Sequence, residues 1–398
     1  MKVSIITKEY PPEVYGGAGV HVTELAKALK PLIEVGVYCF GEPRNQPGVT
    51  AFSSPDDLID SNSALQTLAI DLKIAHSINS GSSPDLIHSH TWYANYAGIL
   101  ASKIAGVPHV LTAHSLEPLR PWKREQLAGG YAISSMVEKD AYASADGIIA
   151  VSHAMKNDIL ECYSDVVDPK RLTVIHNGIN VEDFELALSA QSENRQIAKD
   201  LGVNPDLPTA VFVGRITRQK GITYLLKAIA QVVEPIQFVL AASAPDTKKN
   251  LEEVEAGIYG LLDQEKNIVW LSEALTRREL MAILGVSDVF LCPSIYEPLG
   301  IVNLEAMACK LPVLASRVGG IPEVVEDGQT GWLIDYSFKR PKQFVKDLAE
   351  GISMAFDDQS KAQAMGQRGY ERASIHFAWS RIAEQTNQFY SKLIKSYE

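Results

Sequence analysis

Short apolar segments alternate with helical patterns along the whole chain, and this alternation limits what the chain can fold into. The apolar segments are too short for amphipathic helices, and most end at Gly, Pro, Ser or His, which is typical of strands. Strands separated by helices predict parallel sheets covered by helices on both faces. The predicted strands span residues 3–7, 34–40, 85–90, 109–113, 147–152 and 172–176, then 210–214, 237–241, 267–271, 288–293, 312–316 and 331–334.

The series of strand and helix units runs twice, which is too many units for one sheet. The length of 398 residues also corresponds to about two ordinary domains. We therefore predict an α/β chain with two doubly wound, Rossmann-like domains that face each other across a cleft, in preference to one (β/α)8 barrel. Because residues 181–208 are mainly polar, we place the first domain at residues 1–185 and the second at residues 186–378. Ligands of such sheets bind beyond the carboxyl ends of the strands, so residues that follow strands are the functional candidates.

The charge and the cysteine content exclude some classes of function. The chain has 48 acidic against 37 basic residues, a net charge of −11, which argues against a nucleic acid as the main partner. No apolar run is long enough to span a membrane, and the apolar start is shorter than a signal peptide's core, so we expect a cytoplasmic protein. Four cysteines lack metal-ligand spacing and are expected as buried, reduced thiols: Cys39, Cys162, Cys292 and Cys309.

A glycine-rich turn follows the first predicted strand and opens a helix. Gly16, Gly17 and Gly19 leave backbone NH groups uncovered by a Cβ atom, and such groups at a helix start bind anions. The alternative is a tight turn that needs glycine for its backbone angles. The pattern is neither GxGxxG nor GxxxxGK[ST], which weakens a dinucleotide oxidoreductase and a P-loop enzyme as interpretations.

Two cations follow the first strand of the second half. Arg215 and Lys220 flank a loop that leads into a helix, where they can neutralise a diphosphate without a metal ion. We therefore predict no metal and no cofactor beyond a nucleotide-linked co-substrate. An exposed basic loop is the alternative.

Two carboxylates lie eight positions apart after the strand predicted at 288–293. Glu297 is predicted in the loop, and Glu305 is predicted inside the following helix. Between them, Leu299, Gly300 and Ile301 can offer backbone NH groups to a phosphate. A helix cap with a solvent-facing glutamate is the alternative.

Histidines end two predicted strands of the first half. His114 follows the strand at 109–113, where it can contact a sugar hydroxyl or line a reacting centre, and a packed core histidine is the alternative. His88 and His90 end the strand at 85–90, and their imidazoles can point to one side of the sheet. A metal needs more ligands than these, so we predict no metal site.

A basic patch beside Trp122 follows the His114 loop. Its members Arg120, Lys123 and Arg124 can bind a phosphate of a second substrate, and a solvated helix start is the alternative. The chain has no GxSxG elbow and no cysteine in a basic setting, which leaves group transfer from a diphosphate-linked donor. A non-catalytic two-domain protein that binds a sugar or nucleotide stays open. So does a sugar phosphorylase, although no pyridoxal-lysine motif is evident.

The order of these motifs resembles the retaining glycosyltransferases of family 4, which have the GT-B fold. The resemblance covers nearly the whole chain, and it rests on the two carboxylates, the two cations before them and the glycine-rich turn. The segments 7–12 and 114–123 resemble the short glycogen synthases of the corynebacterial and mycobacterial type. One departure is that His90-Thr91-Trp92-Tyr93 lacks the acid that other bacterial glycogen synthases carry there, so no acceptor role of that acid is transferred.

The resemblance implies α-1,4-glucosyl transfer from ADP-glucose to glucose 1-phosphate, giving maltose 1-phosphate, or to the ends of an α-glucan. UDP- and GDP-sugars stay open as donors, and a homo-oligomer stays open as the assembly. The resemblance also implies that a helix at 379–398 crosses back to the first domain. The implied catalytic residues are His114, Arg215, Lys220 and Glu297; the implied donor-binding residues are Gly16, Gly17, Gly19, Leu299, Gly300, Ile301 and Glu305; the implied acceptor-binding residues are Glu9, Tyr10, Arg120, Lys123 and His153.

Overall fold

Two compact units make up the chain in a computed structural model that describes residues 1–124 and 129–397. The first unit comprises Met1–Gly178 and the residues from Trp379 onward, and the second comprises Ile179–Ala378. Each unit has one parallel sheet with helices packed on it, as the alternation of strands and helices predicts. No helix among the described residues is long and apolar enough to cross a membrane.

The first unit contains a parallel sheet of seven strands in the order β3-β2-β1-β4-β5-β6-β7. Its strands are nearly all buried, which explains their almost continuous apolar sequences. The strands are β1 Lys2–Thr7, β2 Glu34–Phe40, β3 Val49–Phe52, β4 Leu86–His90, β5 His109–Ala113, β6 Gly147–Ala150 and β7 Leu172–Val174; the helices are Gly17–Leu29, Ser63–Ser80, Trp92–Ala105, Gly130–Ser144, His153–Cys162 and Trp379–Tyr397.

The second unit contains a parallel sheet of six strands in the order β10-β9-β8-β11-β12-β13. The strands are β8 Thr209–Arg215, β9 Gln237–Ser243, β10 Ile268–Leu271, β11 Val289–Cys292, β12 Val313–Ser316 and β13 Gly331–Ile334; the helices are Val181–Ser189, Gln191–Asp200, Ile222–Ile229, Lys248–Leu262, Arg277–Val286, Ile301–Ala308, Ile321–Val324, Pro341–Asp357 and Gln359–His376. All six predicted strands of this half are present, with ends that differ by a few residues.

Two elements of the first unit differ from the prediction. Strand β3 was not predicted, because it is a four-residue edge strand whose side chains are only partly buried, which leaves little apolar pattern. The helical pattern between two of the predicted strands also predicts a helix at residues 126–144, and its described part begins at Gly130. Residues 126–128 of that prediction lie outside the described part of the chain.

The polar stretch after residue 180 is not the connection that the sequence predicts. Residues 181–200 form two helices that pack on the helix Arg277–Val286. Phe184 and Ala198 are buried there, while Arg277 pairs with Asp183 at 2.9 Å between Nη2 and Oδ2. The predicted boundary between residues 185 and 186 therefore falls inside a helix of the second unit, and the division lies after Gly178. The misleading signal was a polar composition that belongs to the exposed faces of two amphipathic helices.

The last helix, Trp379–Tyr397, packs on the first unit, where the resemblance places it. Trp379, Ile382 and Tyr390 of this helix join the core cluster formed by β1, β2 and the helix Gly17–Leu29. A Cβ atom at Gly178 would lie 2.5 Å from the Trp379 ring, so a larger residue there would displace the start of the helix.

The strand order places a ligand-binding position in each sheet. The order reverses beside the first strand of each unit, between β1 and β4 in one and between β8 and β11 in the other. Crevices outside the carboxyl ends of strands at such points are where open α/β sheets bind ligands. Most of the predicted site residues follow these strands or the adjacent β5.

The four cysteines carry free thiols. Cys39, Cys292 and Cys309 are buried as predicted, and Cys162 is only partly buried because it ends a helix at the surface.

Candidate active site

The loop after β8 is held against the end of β11 by a glycine that no other residue can replace without strain. Gly221 has φ +67°, and a Cβ atom there would lie 1.9 Å from the carbonyl oxygen of Pro293. The backbone NH of Ile295 donates to the carbonyl of Gln219 at 2.8 Å. This close approach brings the predicted cation Lys220 to the segment that carries the predicted carboxylate.

A buried ion pair forms where these two segments meet. Lys220 Nζ donates to Glu297 Oε2 at 2.7 Å, and Ser294 Oγ donates to the same oxygen at 3.1 Å. Burial by itself lowers the pKa of Lys220, but the charge of Glu297 opposes it and leaves the pKa above its ordinary value. Lys220 is therefore a cation at neutral pH, and Glu297 is only 6% exposed. The structure brings together these two predicted catalytic residues.

Three further glycines lie at the turn that follows Glu297. The backbone NH of Gly320 donates to the Glu297 carbonyl at 2.9 Å, and a Cβ atom on Gly319 would lie 2.0 Å from that same oxygen. Gly300 has φ +95° and precedes the helix Ile301–Ala308, so the predicted amides of residues 299–301 do stand at a helix start.

Asn303 in the first turn of this helix was not predicted as a site residue. Its side chain is fully buried, and neither its Oδ1 nor its Nδ2 has a hydrogen-bond partner among the described residues. Buried amides are normally paired, so an unpaired one beside a phosphate-type helix start points to a ligand group. Asparagine is common near helix starts, and nothing in its sequence position separates this one from an ordinary cap.

Glu305 is half-buried on the helix Ile301–Ala308 and is not the solvent-facing residue of the alternative interpretation. Burial raises the pKa of Glu305 to about 7, against the opposing charges of Arg277 and Lys220. A carboxyl with such a pKa can accept hydrogen bonds from sugar hydroxyls as an anion or donate one when protonated.

Arg215 lies farther from this pair than the sequence suggests. Its side chain is 47% exposed, and Nη2 contacts Asp246 Oδ1 at 2.9 Å. Its charge still acts on Lys220, where it lowers the pKa. The structure therefore puts Arg215 at the exposed edge of the site and Lys220 at its buried centre.

In the first unit, the carboxylate of Glu9 occupies part of the glycine-rich turn. Glu9 Oε2 accepts hydrogen bonds from the backbone NH groups of Tyr15 and Gly16, both at 2.8 Å. A Cβ atom on Gly19 would lie 2.7 Å from that oxygen. The expected anion site at Gly16 is thus already filled by an anion of the chain itself, which corrects the prediction for this amide. Gly17 and Gly19 remain in the first turn of the helix Gly17–Leu29.

Tyr10 is part of the core and not of an exposed surface. Its side chain is 3% exposed in the cluster that contains β1 and β2, and burial raises the pKa of its phenol. Arg44 Nη1 donates to its backbone carbonyl at 2.5 Å. This placement corrects the predicted acceptor contact, and we remove Tyr10 from the candidate site.

Three histidines meet at the carboxyl ends of β4 and β5. His114 is partly exposed, and its Nε2 lies 3.0 Å from Nδ1 of the buried His90. The ring of His21, from the helix Gly17–Leu29, lies 4.7 Å from the His114 ring, centroid to centroid. Burial lowers the pKa of His21 to about 4 and the pKa of His114 well below its ordinary value, so both rings are neutral at pH 7.

Two more histidines lie beside His90 and His114: His88, which packs against His90, and His21, a member of the group that the sequence did not single out. His88 is structural, because its ring nitrogens contact Tyr390 Oη at 2.6 Å and Thr112 Oγ1 at 2.7 Å. His21 was missed because its helix position matches the buried face, and a histidine on a buried face is usually a core residue.

The predicted basic patch is tied to a buried carboxylate network. Arg120 forms an ion pair with Glu117, whose side chain is completely buried. Ser134 Oγ donates to Glu117 Oε2 at 2.9 Å. The backbone NH of Glu117 donates to Glu138 Oε1 at 2.8 Å, so the loop after His114 is held from two sides. Arg120 is therefore not the solvated cation of the alternative interpretation.

Two further predicted residues of the first unit, Lys123 and His153, lie in different segments. The backbone NH of Lys123 donates to the Arg120 carbonyl at 2.9 Å. His153 is exposed at the start of the helix His153–Cys162, beyond β6, with its ring 6.3 Å from that of His176.

Lys8 after β1 is a residue that the sequence did not single out. Its Nζ lies 3.9 Å from the centre of the Tyr93 ring, a cation–π contact. Burial lowers the pKa of Lys8, with Glu9 opposing, which marks it as a partly desolvated cation close to the candidate site. The sequence did not indicate this role, because a lysine followed by a glutamate is typical of an ordinary exposed pair.

The network around Glu138 predicts a pH-dependent stability. Burial is the main cause that raises the pKa of Glu138 from 4.5 to about 7, with Glu117 adding to it. A folded-state pKa above the unfolded value favours folding of the protonated form, and that stabilisation is lost as the pH rises from 4.5 through 7. The Glu138→Gln variant cannot ionise at this position. As the pH rises from 5 to 8, we expect its free energy of unfolding to increase by about 2 kcal/mol relative to that of the natural chain.

Urea unfolding at both pH values measures this gain. The exposed Glu161→Gln serves as the control and is expected to keep the difference constant. Parallel pH profiles for Glu138→Gln and the natural chain would show that Glu138 is ionised over the whole range.

Two family models and a named relative match the sequence of this chain. The model of the family described as "Glycosyltransferase Family 4" matches residues 15–183, and that described as "Glycosyl transferases group 1" matches residues 193–372. The alpha-maltose-1-phosphate synthase of Mycolicibacterium smegmatis is 47% identical over 99% of this chain and 100% of its own.

Two solved structures share the fold at low sequence identity. Sucrose-phosphate synthase from Thermosynechococcus elongatus has a TM-score of 0.79 and 24% identity, covering 99% of both chains. HepE from Anabaena, in complex with UDP and glucose, has a TM-score of 0.79 and 22% identity, covering 98% of this chain and 100% of its own.

Proposed function

The chain belongs to the family 4 glycosyltransferases, hexosyltransferases of the GT-B fold, and from this membership we propose that it moves glucose from ADP-glucose to glucose 1-phosphate. The product is maltose 1-phosphate, with the α configuration retained at the transferred carbon. The contact that carries the donor side of the proposal is Lys220 Nζ to Glu297 Oε2 at 2.7 Å, at the point where β8 and β11 adjoin. The acceptor side is supported by the 47% identity to a maltose-1-phosphate synthase.

The residues of the second unit stabilise the departing ADP. When the bond between glucose C1 and the β-phosphate oxygen breaks, negative charge gathers on the diphosphate. Lys220 and Arg215 stabilise that charge, assisted by the amides of Leu299, Gly300 and Ile301 at the helix start. Donors that are already oriented are worth more than water, because they need no reorganisation during the reaction.

The sugar and the ribose are held by the two carboxylates. Glu297 accepts hydrogen bonds from glucose hydroxyls while it keeps Lys220 in place, and Glu305 contacts the ribose. His114 is neutral and contacts the glucose near C1. The acceptor's 4-hydroxyl attacks C1 on the face that the phosphate leaves, and its proton passes to a leaving phosphate oxygen. The exchange needs no external oxidant or base.

The proposal is tested with a panel of donors and acceptors. ADP-, UDP- and GDP-glucose are each incubated with glucose 1-phosphate, a maltooligosaccharide and glycogen, and nucleoside diphosphate release is measured. We expect ADP-glucose with glucose 1-phosphate to give the highest kcat/KM. Proton NMR of the product reports the anomeric configuration, and a β-linked product would overturn retention. A preference for UDP or GDP would favour another family 4 reaction.

Chelation tests the proposal that no metal takes part in the transfer. Lys220 and Arg215 supply the positive charge that a divalent ion would otherwise bring to the diphosphate. We expect treatment with EDTA to lower the initial rate with ADP-glucose by no more than about two-fold, since no charge is removed from the diphosphate site. Loss of activity that one divalent ion restores would contradict this.

The acceptor preference depends on cations around the first unit's loop. A neutral glucan end gains nothing from Arg120, Lys123 and the partly desolvated Lys8, whereas a phosphate gains a charge-assisted contact of about 1.5–3 kcal/mol. We therefore expect glucose 1-phosphate to be a better acceptor than maltooligosaccharides. Arg120→Ala is expected to raise the KM for glucose 1-phosphate about 10-fold, since it removes one such contact.

Two controls separate this effect from damage to the loop, because Arg120 also pairs with the buried Glu117. The KM for maltooligosaccharide in Arg120→Ala reports loop distortion, and Lys170→Ala, an exposed lysine of the same unit, reports loss of surface charge. An equal rise in KM for both acceptors would remove Arg120 from the phosphate site.

A further inference from the structure

One ring nitrogen from each of three histidines converges at the carboxyl edge of the first sheet. His21, His90 and His114 each offer a nitrogen, and the three atoms lie within 4.8 Å of one another. They come from three separate elements: the helix Gly17–Leu29, the end of β4 and the loop after β5. We call this group the three-histidine cluster.

The cluster contains unsatisfied ligand atoms. Both ring nitrogens of His21 and Nε2 of His90 are buried and have no hydrogen-bond partner among the described residues. The Asn177 side chain is close enough to His21 to act as a weak hydrogen-bond partner that raises its pKa, but Asn177 Oδ1 makes no well-formed hydrogen bond among the described residues. Burying a polar atom without a partner is costly, so the unpaired nitrogens of His21, whose ring packs against those of His90 and His114, indicate a missing partner.

We propose that the three-histidine cluster binds one divalent transition-metal ion of the zinc type. Neutral imidazoles suit zinc, copper and nickel, whereas magnesium and calcium prefer oxygen ligands. Three histidines with a fourth position open to water make a recognised zinc arrangement, and partial exposure of His114 leaves such a position. This ion is distinct from the transfer step, in which Lys220 and Arg215 provide the charge.

The three nitrogens lie within 4.8 Å of one another, and they must shift to ligate one ion. With Zn–N bonds of about 2.1 Å and a tetrahedral angle, two ligating nitrogens lie about 3.4 Å apart. His90 Nδ1 and His114 Nε2 are already 3.0 Å apart.

A metal in the cluster inhibits transfer, because it holds the imidazole that contacts the sugar. This part rests on the proposed role of His114. Zinc and glucose compete for the same ring, so an increase in zinc raises the apparent KM for the donor. The binding itself does not depend on the nature of donor or acceptor, and it can be measured without either.

The binding test uses the full chain after treatment with EDTA and removal of the chelator. Equilibrium dialysis against zinc, followed by metal analysis, is expected to give one tightly bound ion per chain. His21→Gln and His90→Gln are each expected to weaken binding at least 100-fold, since even outer-shell changes cost about 10–100-fold. His76→Gln, an exposed histidine of the helix Ser63–Ser80, is the matched control and is expected to bind as the natural chain does.

Cobalt substitution in the natural chain keeps the test valid even where a variant fails to fold. Tetrahedral cobalt bound by nitrogen gives an intense visible absorption, and zinc is expected to displace it. The proposal is overturned by equal zinc binding in the natural chain, His21→Gln and His90→Gln when all three have native circular dichroism. It is also overturned by a weak octahedral cobalt spectrum.

The inhibition test is separate. Zinc is expected to inhibit the natural chain, EDTA is expected to reverse the inhibition, and His21→Gln is expected to need at least 10-fold more zinc for the same effect. Zinc bound at the cluster without inhibition overturns the inhibitory part. Failure of the proposed donor or acceptor leaves the dialysis and cobalt results unchanged, so the two failures are distinguishable.

Discussion

Replacing Lys220 with alanine is expected to lower kcat with ADP-glucose by roughly 100-fold. Lys220 is a largely buried cation of the second unit, and its pKa keeps it charged. The charge that it meets appears only as the diphosphate leaves, so its loss affects the transition state more than the ground state. Loss of one oriented donor of this kind raises the barrier by about 3 kcal/mol.

Arg215→Ala is the informative comparison. Its guanidinium is half-exposed and already paired with Asp246, so solvent screens its charge. We expect a smaller effect on kcat, about 10-fold, although the sequence pattern alone treats the two cations as equivalent. Equal losses would show that Arg215 moves into the site when the donor binds.

Controls must separate catalysis from stability, because Lys220→Ala leaves the buried Glu297 without its partner. Breaking a buried pair on one side costs about 3–5 kcal/mol of folding free energy. Kinetics are therefore measured at a temperature where circular dichroism shows the variant folded. Lys227→Ala, an exposed lysine on the neighbouring helix Ile222–Ile229, is the matched control. Unchanged turnover in folded Lys220→Ala would contradict the assignment.

The sequence predicted the elements that are defined by local pattern. Buried parallel strands such as β8 and β11 are largely apolar, and the loops after them carry Lys220 and Glu297. Both were predicted as site residues, but the ion pair between them was not predicted. The two helices at 181–200 were missed because their stability comes from packing on Arg277–Val286, which local composition does not report. The weakly buried edge strand β3 failed for a related reason.

The site residues of the first unit were predicted less well, because the sequence does not show which side chains they contact. A sequence shows that Arg120 is basic but not that Glu117, three residues earlier, is buried beneath it. The same limit applies to Glu9, whose carboxylate binds the turn that was expected to bind a ligand. His21 and Lys8 became candidates only when three-dimensional neighbours were known.

Glu297→Ala is expected to be more damaging than Glu305→Ala. Removing Glu297 deletes contacts to the glucose hydroxyls and also frees Lys220, whose ammonium it holds at 2.7 Å. Both losses affect the glucose and the phosphate between which the bond breaks. We therefore expect kcat to fall by roughly 1000-fold, a rise of about 4 kcal/mol in the barrier. Ser294 would keep its place but would lose the oxygen to which it donates.

Glu305→Ala acts on a part of the donor that does not change during the reaction. A ribose contact is equally strong in the ground state and in the transition state, so its loss raises KM and leaves kcat nearly unchanged. We expect about a 10-fold rise in the KM for ADP-glucose. Glu297→Gln and Glu305→Gln, which keep the shape but not the charge, are the conservative partners of the two alanine variants.

The comparison of kcat and KM in these four variants decides the orientation of the donor. Glu297 follows the carboxyl end of β11 and contacts Lys220 of the loop after β8. Glu305 lies within the next helix near Arg277. If glucose lies toward Glu297, kcat depends on Glu297 and KM on Glu305. A larger loss of kcat in Glu305→Ala would place the sugar on the helix side and the nucleoside beside Lys220. Lys220 would then contact the phosphate next to the nucleoside, and the bond between glucose C1 and the other phosphate would lie beyond its reach.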